Sequence, residues 1–117
     1  MTSSGNDNQS VTEDKSALRP AATVMLIRDV VDGFEVFMLQ RTHNAAFAGG
    51  MYVFPGGKVD ATDGAQALEP FCDGLDDFEA SAILQIPNGG LAYWVAAIRE
   101  CFEEAGVLLA RDTKTNQ

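Results

Sequence analysis

The first stretch of the chain is polar. Met1 to Leu18 is rich in Ser, Asn, Asp, Thr and Gln and carries few apolar side chains. Such a stretch buries too little surface to offset chain entropy, so residues 1–18 are expected to form a disordered lead-in. Arg19-Pro20 marks the entry to a fold. Ala21 to Ile27 is a short apolar run in which Thr23 and Val24 favour a strand. Arg28 to Gly33 reads as a turn, with Asp32-Gly33 a hairpin signal. Phe34 to Gln40 reads as a second strand, with Phe34, Val36, Met38 and Gln40 on one face and Glu35, Phe37 and Leu39 on the other. Both sets are mostly apolar, which suits a sheet covered on both sides. Arg41 to Gly50 reads as a loop of small residues. Met51 to Phe54 is a short strand running into Pro55-Gly56-Gly57.

From Lys58 to about Gly90 the pattern is irregular and acidic, with Asp60, Asp63, Asp73, Asp76, Asp77 and Glu79. Phe78 to Leu84 suits a short helix capped by Asp76 or Asp77. Pro87-Asn88-Gly89-Gly90 breaks the chain again. A longer helix follows, with Tyr93 and Trp94 at its start, expected to pack on the preceding segment. Ile98, Cys101, Phe102 and Ala105 recur at i, i+3, i+4 and i+7, which makes an apolar stripe. Glu100, Glu103 and Glu104 share the opposite side. Gly106 offers a C-terminal stop. Val107-Leu108-Leu109 reads as the start of a further strand, and 110–117 is polar.

Composition narrows the class. A chain of 117 residues, 46% hydrophobic and 21% charged, suits one small globular domain. A net charge of −9 argues against holding a nucleic-acid backbone by bulk charge. No apolar run approaches the roughly 20 residues that cross a bilayer, so no membrane partner is expected. The polar start lacks the pattern of a secretory signal. Cys72 and Cys101 form neither a disulfide framework nor a zinc-type spacing. Cys101 falls on the apolar helix side, where a buried free thiol is expected. A reducing cytoplasm is the expected compartment.

The candidate chemistry lies on the long helix. Like charges at helical spacing repel, at roughly 0.2–0.5 kcal/mol per pair. A divalent cation would relieve that repulsion and take the oxygens as hard ligands; a solvated acidic face is the alternative. Gly56-Gly57 suits either a plain turn or a close approach of backbone to a ligand. Arg41, at a strand end, is either a surface cation or a contact for substrate phosphate. His43, the only histidine, reads as an ordinary loop residue.

Arg99-Glu100-Cys101-Phe102-Glu103-Glu104-Ala105-Gly106-Val107 matches every fixed position of R-E-U-x-E-E-x-G-U (U apolar), the second half of the Nudix box. Phe54-Pro55-Gly56-Gly57 matches the Gly-Gly that opens it. The resemblance to the Nudix hydrolases runs from about Arg19 to Leu109. The family spacing, G-x5-E-x7-R-E, puts Arg 14 positions after Gly. Here Gly57 and Arg99 are 42 positions apart, so about 28 residues are inserted, and Asp63 stands where the pattern has Glu. A box split in this way resembles a branch that includes coenzyme A diphosphatases of animals and many bacterial relatives. A coenzyme A motif of another branch, L-L-T-x-R-[SA]-x3-R-x3-G-x3-F-P-G-G, is met only in part: Arg41 and Gly50 are kept, whereas Leu39, Thr42 and Ala46 depart from it.

The resemblance implies an α/β (α+β) fold, a Nudix α/β/α sandwich around a mixed sheet. Residues 19–117 would form a C-terminally incomplete domain, with residues 58–90 as an insertion. It implies metal-dependent hydrolysis of a diphosphate in a small nucleoside diphosphate derivative. Mg²⁺ or Mn²⁺ would be held by Glu100, Glu103, Glu104 and the Gly57 carbonyl. Arg99 would orient a Glu, Glu100 or Glu103 would serve as base, and Arg41 would bind substrate. The insertion, placed between the half-boxes, is expected to be a lid or a substrate wall. The reading of a different class is a non-catalytic fragment that binds metal weakly or associates with a partner through an open sheet edge.

Overall fold

The computed structural model describes residues 18–46 and 49–117. The expected lead-in over 1–18 therefore lies, apart from Leu18, outside the described residues. Among the described residues six short strands come first: β1 Ala21–Thr23, β2 Ile27–Val30, β3 Gly33–Val36, β4 Leu39–Gln40, β5 Tyr52–Val53 and β6 Gly56–Lys58. Two 3-10 helices, Ala61–Gly64 and Gln66–Phe71, lead to helix α1 (Asp77–Leu84) and helix α2 (Leu91–Ala105). The fold is mixed α+β, as expected. Among the described residues the strands form three antiparallel pairs, β1 with β6, β2 with β3 and β4 with β5, in place of one mixed sheet.

The first two apolar runs expected to be single strands are each divided because they change partner midway. Ala21 to Thr23 pairs with β6, and Val24 N–H extends that ladder by donating to Pro55 O at 2.9 Å. From Leu26 onward the same run belongs to the β2–β3 hairpin, where Phe37 N–H donates to Leu26 O at 2.9 Å. Phe34 to Gln40 divides in the same manner between β2 and β5. The turn expected over Arg28–Gly33 shrinks to Val31-Asp32, because β2 continues to Val30. Arg28 lies opposite Glu35 and donates to it at 2.7 Å. An exposed pair of this kind contributes about 0.2–1 kcal/mol.

Gly56 and Gly57 are strand residues opposite Thr23 and Ala22. Val107–Leu109, expected to start a strand, has no strand partner among the described residues and remains irregular. The double covering expected for the second strand is also not met there, since Phe34 is 64% exposed.

Helix α1 begins where the sequence places it. Asp76 caps it in a reciprocal box with Glu79, the Glu79 amide donating to Asp76 Oδ1 at 2.7 Å. Helix α2 stops at Gly106, in the left-handed conformation, whose N–H donates to Phe102 O at 2.9 Å. Its buried residues are Ala92, Ala96 and Cys101, and both cysteines are free thiols. Small alanines let α2 approach β1, β6 and α1 closely. Tyr93 and Trp94 line a cleft with Leu84 of α1 and Ala21–Thr23 of β1, so they face the inserted segment in part. The apolar stripe is only partly a core stripe: Cys101 is fully buried, whereas Phe102 is 52% exposed. Among the described residues no helix is long and apolar enough to cross a membrane.

Candidate active site

The helix side that carries the carboxylates faces the β1–β6 ladder. Tyr93, Ala97, Glu100 and Glu104 fall in line at i, i+4, i+7 and i+11, and the glutamates meet the two glycines of β6. The Glu100 carboxylate rests on the backbone of Gly57. A Cβ placed there would lie 2.5 Å from Glu100 Cδ and Oε1 and 2.8 Å from Oε2. Glu104 Oε2 is 3.4 Å from the Gly56 amide, which donates to it. The glycine pair therefore serves close approach of carboxylates rather than a turn.

Arg99 ties the site to three chain segments. Its Nε donates to Asp63 Oδ1 at 2.8 Å and Nη2 to Asp63 Oδ2 at 3.0 Å, a two-pronged pair. Nη2 also donates to Lys58 O at 2.9 Å. Nη1 donates to Glu100 Oε1 at 3.1 Å and to Glu103 Oε2 at 3.0 Å. All five N–H donors of the guanidinium are thus used, a geometry that a lysine ammonium could not reproduce. Asp63, only 3% exposed, also accepts the Asp60 amide at 2.7 Å. Hydrogen bonding from Arg99 holds the Asp63 carboxyl below the usual carboxylate range, helped by the Asp60 amide and the Arg99 charge and opposed by burial. The same pairing with Asp63 pushes the Arg99 guanidinium up, so it stays charged.

The structure thus brings together Gly57, Arg99, Glu100, Glu103 and Glu104. Arg41 lies elsewhere, just after β4, where its backbone pairs with Met51 and Gly50. Its Nε is buried and has no hydrogen-bond partner among the described residues. Sequence reasoning noted Asp63 as part of an acidic stretch and as a departure from a pattern. Its place as the anchor of Arg99 follows from the 3-10 turn Ala61–Gly64, which returns it to the helix. Spacing alone gave no sign of that return.

Gly57 O and three carboxylates are donors of the hard oxygen type that suits Mg²⁺ or Mn²⁺. They fit a divalent cation in kind. Among the described residues no three acidic, His or Cys side chains come together as a ready-made cation cage. Arg99 occupies one oxygen each of Glu100 and Glu103, and Glu104 is turned to Gly56.

In fold and in its split motif the chain is similar to the Nudix hydrolases. Over 88% of its length it superposes on the crystal structure of a NUDIX hydrolase from Alicyclobacillus acidocaldarius, with a TM-score of 0.63 and 33% identity, covering 44% of that chain. In sequence it is similar to acyl-coenzyme A diphosphatase NUDT19. It is 35% identical to the Homo sapiens protein over 103 residues, 68% of this chain and 28% of that one. It is 33% identical to the Gallus gallus protein over 96 residues, 65% of this chain and 25% of that one. The chain thus spans about a quarter of the length of these relatives. No protein-family model matches it.

Proposed function

We propose that this chain contributes the metal and phosphate site of a diphosphohydrolase that cleaves a small nucleoside diphosphate derivative, with coenzyme A or its esters as the substrate class. The observation that carries the reading is the Glu100 carboxylate seated on Gly57 and fixed from the other side by Arg99. The substrate class rests on the names of the sequence relatives. Residues 19–117 are the domain portion concerned, interrupted by the segment 58–90, and the cytoplasm is the proposed compartment.

Glu100, Glu103, Glu104 and the Gly57 carbonyl would hold Mg²⁺ or Mn²⁺. Such an ion would supply charge neutralisation of the diphosphate and a more acidic attacking water. Arg99 holds Glu100 and Glu103 in place through Nη1, which fixes their carboxylates before substrate arrives. In hydrolysis water adds at one phosphorus, the bond from that phosphorus to the bridging oxygen breaks, and the water proton passes to Glu100 or Glu103. The orphan Nε of Arg41 supports a contact to substrate phosphate, since a buried donor without a partner gains from an anionic acceptor. A second reading, association of a non-catalytic fragment with a partner, is favoured by the exposed apolar hairpin, where Ile27 and Phe34 are 56% and 64% exposed.

The test is release of the two phosphorylated products from a panel of coenzyme A esters, dinucleotides and nucleotide sugars, with Mg²⁺, Mn²⁺ or a chelator. The reading expects metal-dependent cleavage that the chelator abolishes. A chain that is folded, binds Mn²⁺ and cleaves none of the panel would favour the second reading.

A further inference from the structure

We infer that Asp77 and Ser81, on the helix inside the insertion, are positioning residues for the carboxylate helix. They supply the N-terminal cap that its own sequence lacks. The inference rests on the proposed metal-site reading of α2 for its functional consequence.

A helix leaves its first amides unpartnered, and a Ser, Thr, Asp or Asn before the first turn commonly answers them. Helix α2 has Gly90 at that position, with no side chain to offer, and no acidic residue in its first turn. The partners come instead from α1. Asp77 Oδ1 accepts the Leu91 amide at 3.0 Å, and Asp77 Oδ2 accepts the Gly89 amide at 3.0 Å. Ser81 Oγ, on a residue 3% exposed, accepts the Gly90 amide at 2.8 Å. Three successive amides are thus met by two side chains one helical turn apart. The Asp77 carboxylate also sets a negative charge at the positive end of the α2 dipole. Gly90 permits the arrangement, because a Cβ there would run into the Ala80–Ser81 backbone.

The insertion therefore holds α2 at two separated points. Near its first residues Asp63 takes Arg99, and near its last Asp77 and Ser81 take the helix start. A cavity lined by Asp63, Asp77, Asn88, Leu91, Ala92 and Val95 lies between the two anchors. This arrangement makes the segment a splint for the carboxylate helix. Leu91 and Glu100 are about 14 Å apart along the axis at 1.5 Å per residue. Without the cap, the start of α2 loses its polar tie to the insertion while its packing on β1 and β6 remains, and a shift of that end is carried along the helix to Glu103 and Glu104.

The experiment compares the full chain with Asp77→Ala, Asp77→Asn and Ser81→Ala. It measures Mn²⁺ affinity by electron paramagnetic resonance and amide hydrogen exchange residue by residue. Asp77→Ala is expected to speed exchange at Gly89 and Leu91, leave β1 and β6 protected, and weaken Mn²⁺ binding by about tenfold, as loss of a supporting partner does at metal sites. Asp77→Asn, whose single amide oxygen can still accept one of the two bonds, should recover part of the affinity. If Asp77→Ala does not fold, Ser81→Ala, which removes one bond, should show a smaller loss of the same kind at Gly90. Faster exchange with unchanged Mn²⁺ affinity, or unchanged exchange, would overturn the inference. If the unaltered chain binds no Mn²⁺, the metal reading fails by itself; exchange then decides the cap, with faster exchange at Gly89 and Leu91 supporting it and unchanged exchange refuting it.

Discussion

Replacing Gly57 with alanine separates the site from the stability of the fold. The added methyl would stand 2.5 Å from Glu100 Cδ and Oε1. Carbon atoms in contact sit about 3.5–4.0 Å apart, so the carboxylate must retreat by about 1 Å. The atoms it meets are the far end of a flexible side chain, which yields at a rotamer cost of about 0.5–1.5 kcal/mol. Removing a glycine from the unfolded chain returns about 0.4–1 kcal/mol. Stability should therefore change by less than about 1 kcal/mol. Placement is less forgiving: a shift of about 1 Å costs on the order of 100-fold in rate, or about 2.7 kcal/mol of barrier. The neighbouring Gly56→Ala supplies the contrast, because its methyl meets the Ala22 carbonyl oxygen and, at 2.8 Å, Thr23 Cα. Backbone has no rotamer to give, so β1 must move, at about 1–3 kcal/mol. Thermal melts, Mn²⁺ titration and turnover of a coenzyme A ester on the two variants make the comparison. Gly57→Ala with Mn²⁺ affinity and turnover within about threefold of the unaltered chain would refute the geometry assigned to Glu100. So would a destabilisation equal to that of Gly56→Ala.

Three further expectations follow from the same contacts. Asp63→Ala leaves two Arg99 donors without their carboxylate and should lower stability by about 1.5–3 kcal/mol, read from denaturant midpoints. Because Asp63 titrates below its ordinary value near 3.8 in the folded chain, its stabilisation is fully present above that value and is lost as pH falls through the lowered one. Melting temperatures of the unaltered chain and Asp63→Asn should therefore differ by a constant gap near neutrality that closes in acid; a gap that widens in acid would contradict the pairing. Glu104→Gln should keep the fold while abolishing metal-dependent turnover, and most of the activity remaining would sink the metal assignment. Phe102→Ala should cost under about 1 kcal/mol in a melt, against about 3–5 for a core phenylalanine, because the ring is 52% exposed.

The helices were legible from sequence because their signals are local. Asp76 with Glu79, and Gly106 after the last turn, act within one turn of their own helix. The strands were legible as apolar runs but not as paired elements. Nothing in Ala21 to Ile27 reveals that its first half belongs to residues near Gly57 and its second half to the chain just beyond a turn. The site was legible in its ligand types, since the spacing of Glu100, Glu103 and Glu104 fixes their common side. Which way that side faces depends on β6, which the helix sequence does not encode. An apolar stripe on the other side suggested that the glutamates point outward, whereas Glu100 has only 16% of its side chain exposed. Asp63 and Asp77 were seen as parts of an acidic stretch. Their partners, Arg99 and the start of α2, lie across the insertion, and only the path of the chain brings them near.

The register that sets Ala22 against Gly57 also fixes an order of assembly. The β2–β3 hairpin closes over a two-residue turn and needs no other element, so it can form on the microsecond scale of isolated hairpins. The β1–β6 ladder encloses that hairpin together with β4 and β5, and it must bear the entropy of a much longer loop. The wall on which Glu100 rests does not exist until that loop has closed. Slowing the closure, even by a change in a strand far from every glutamate, delays the appearance of a competent site while leaving its final geometry intact.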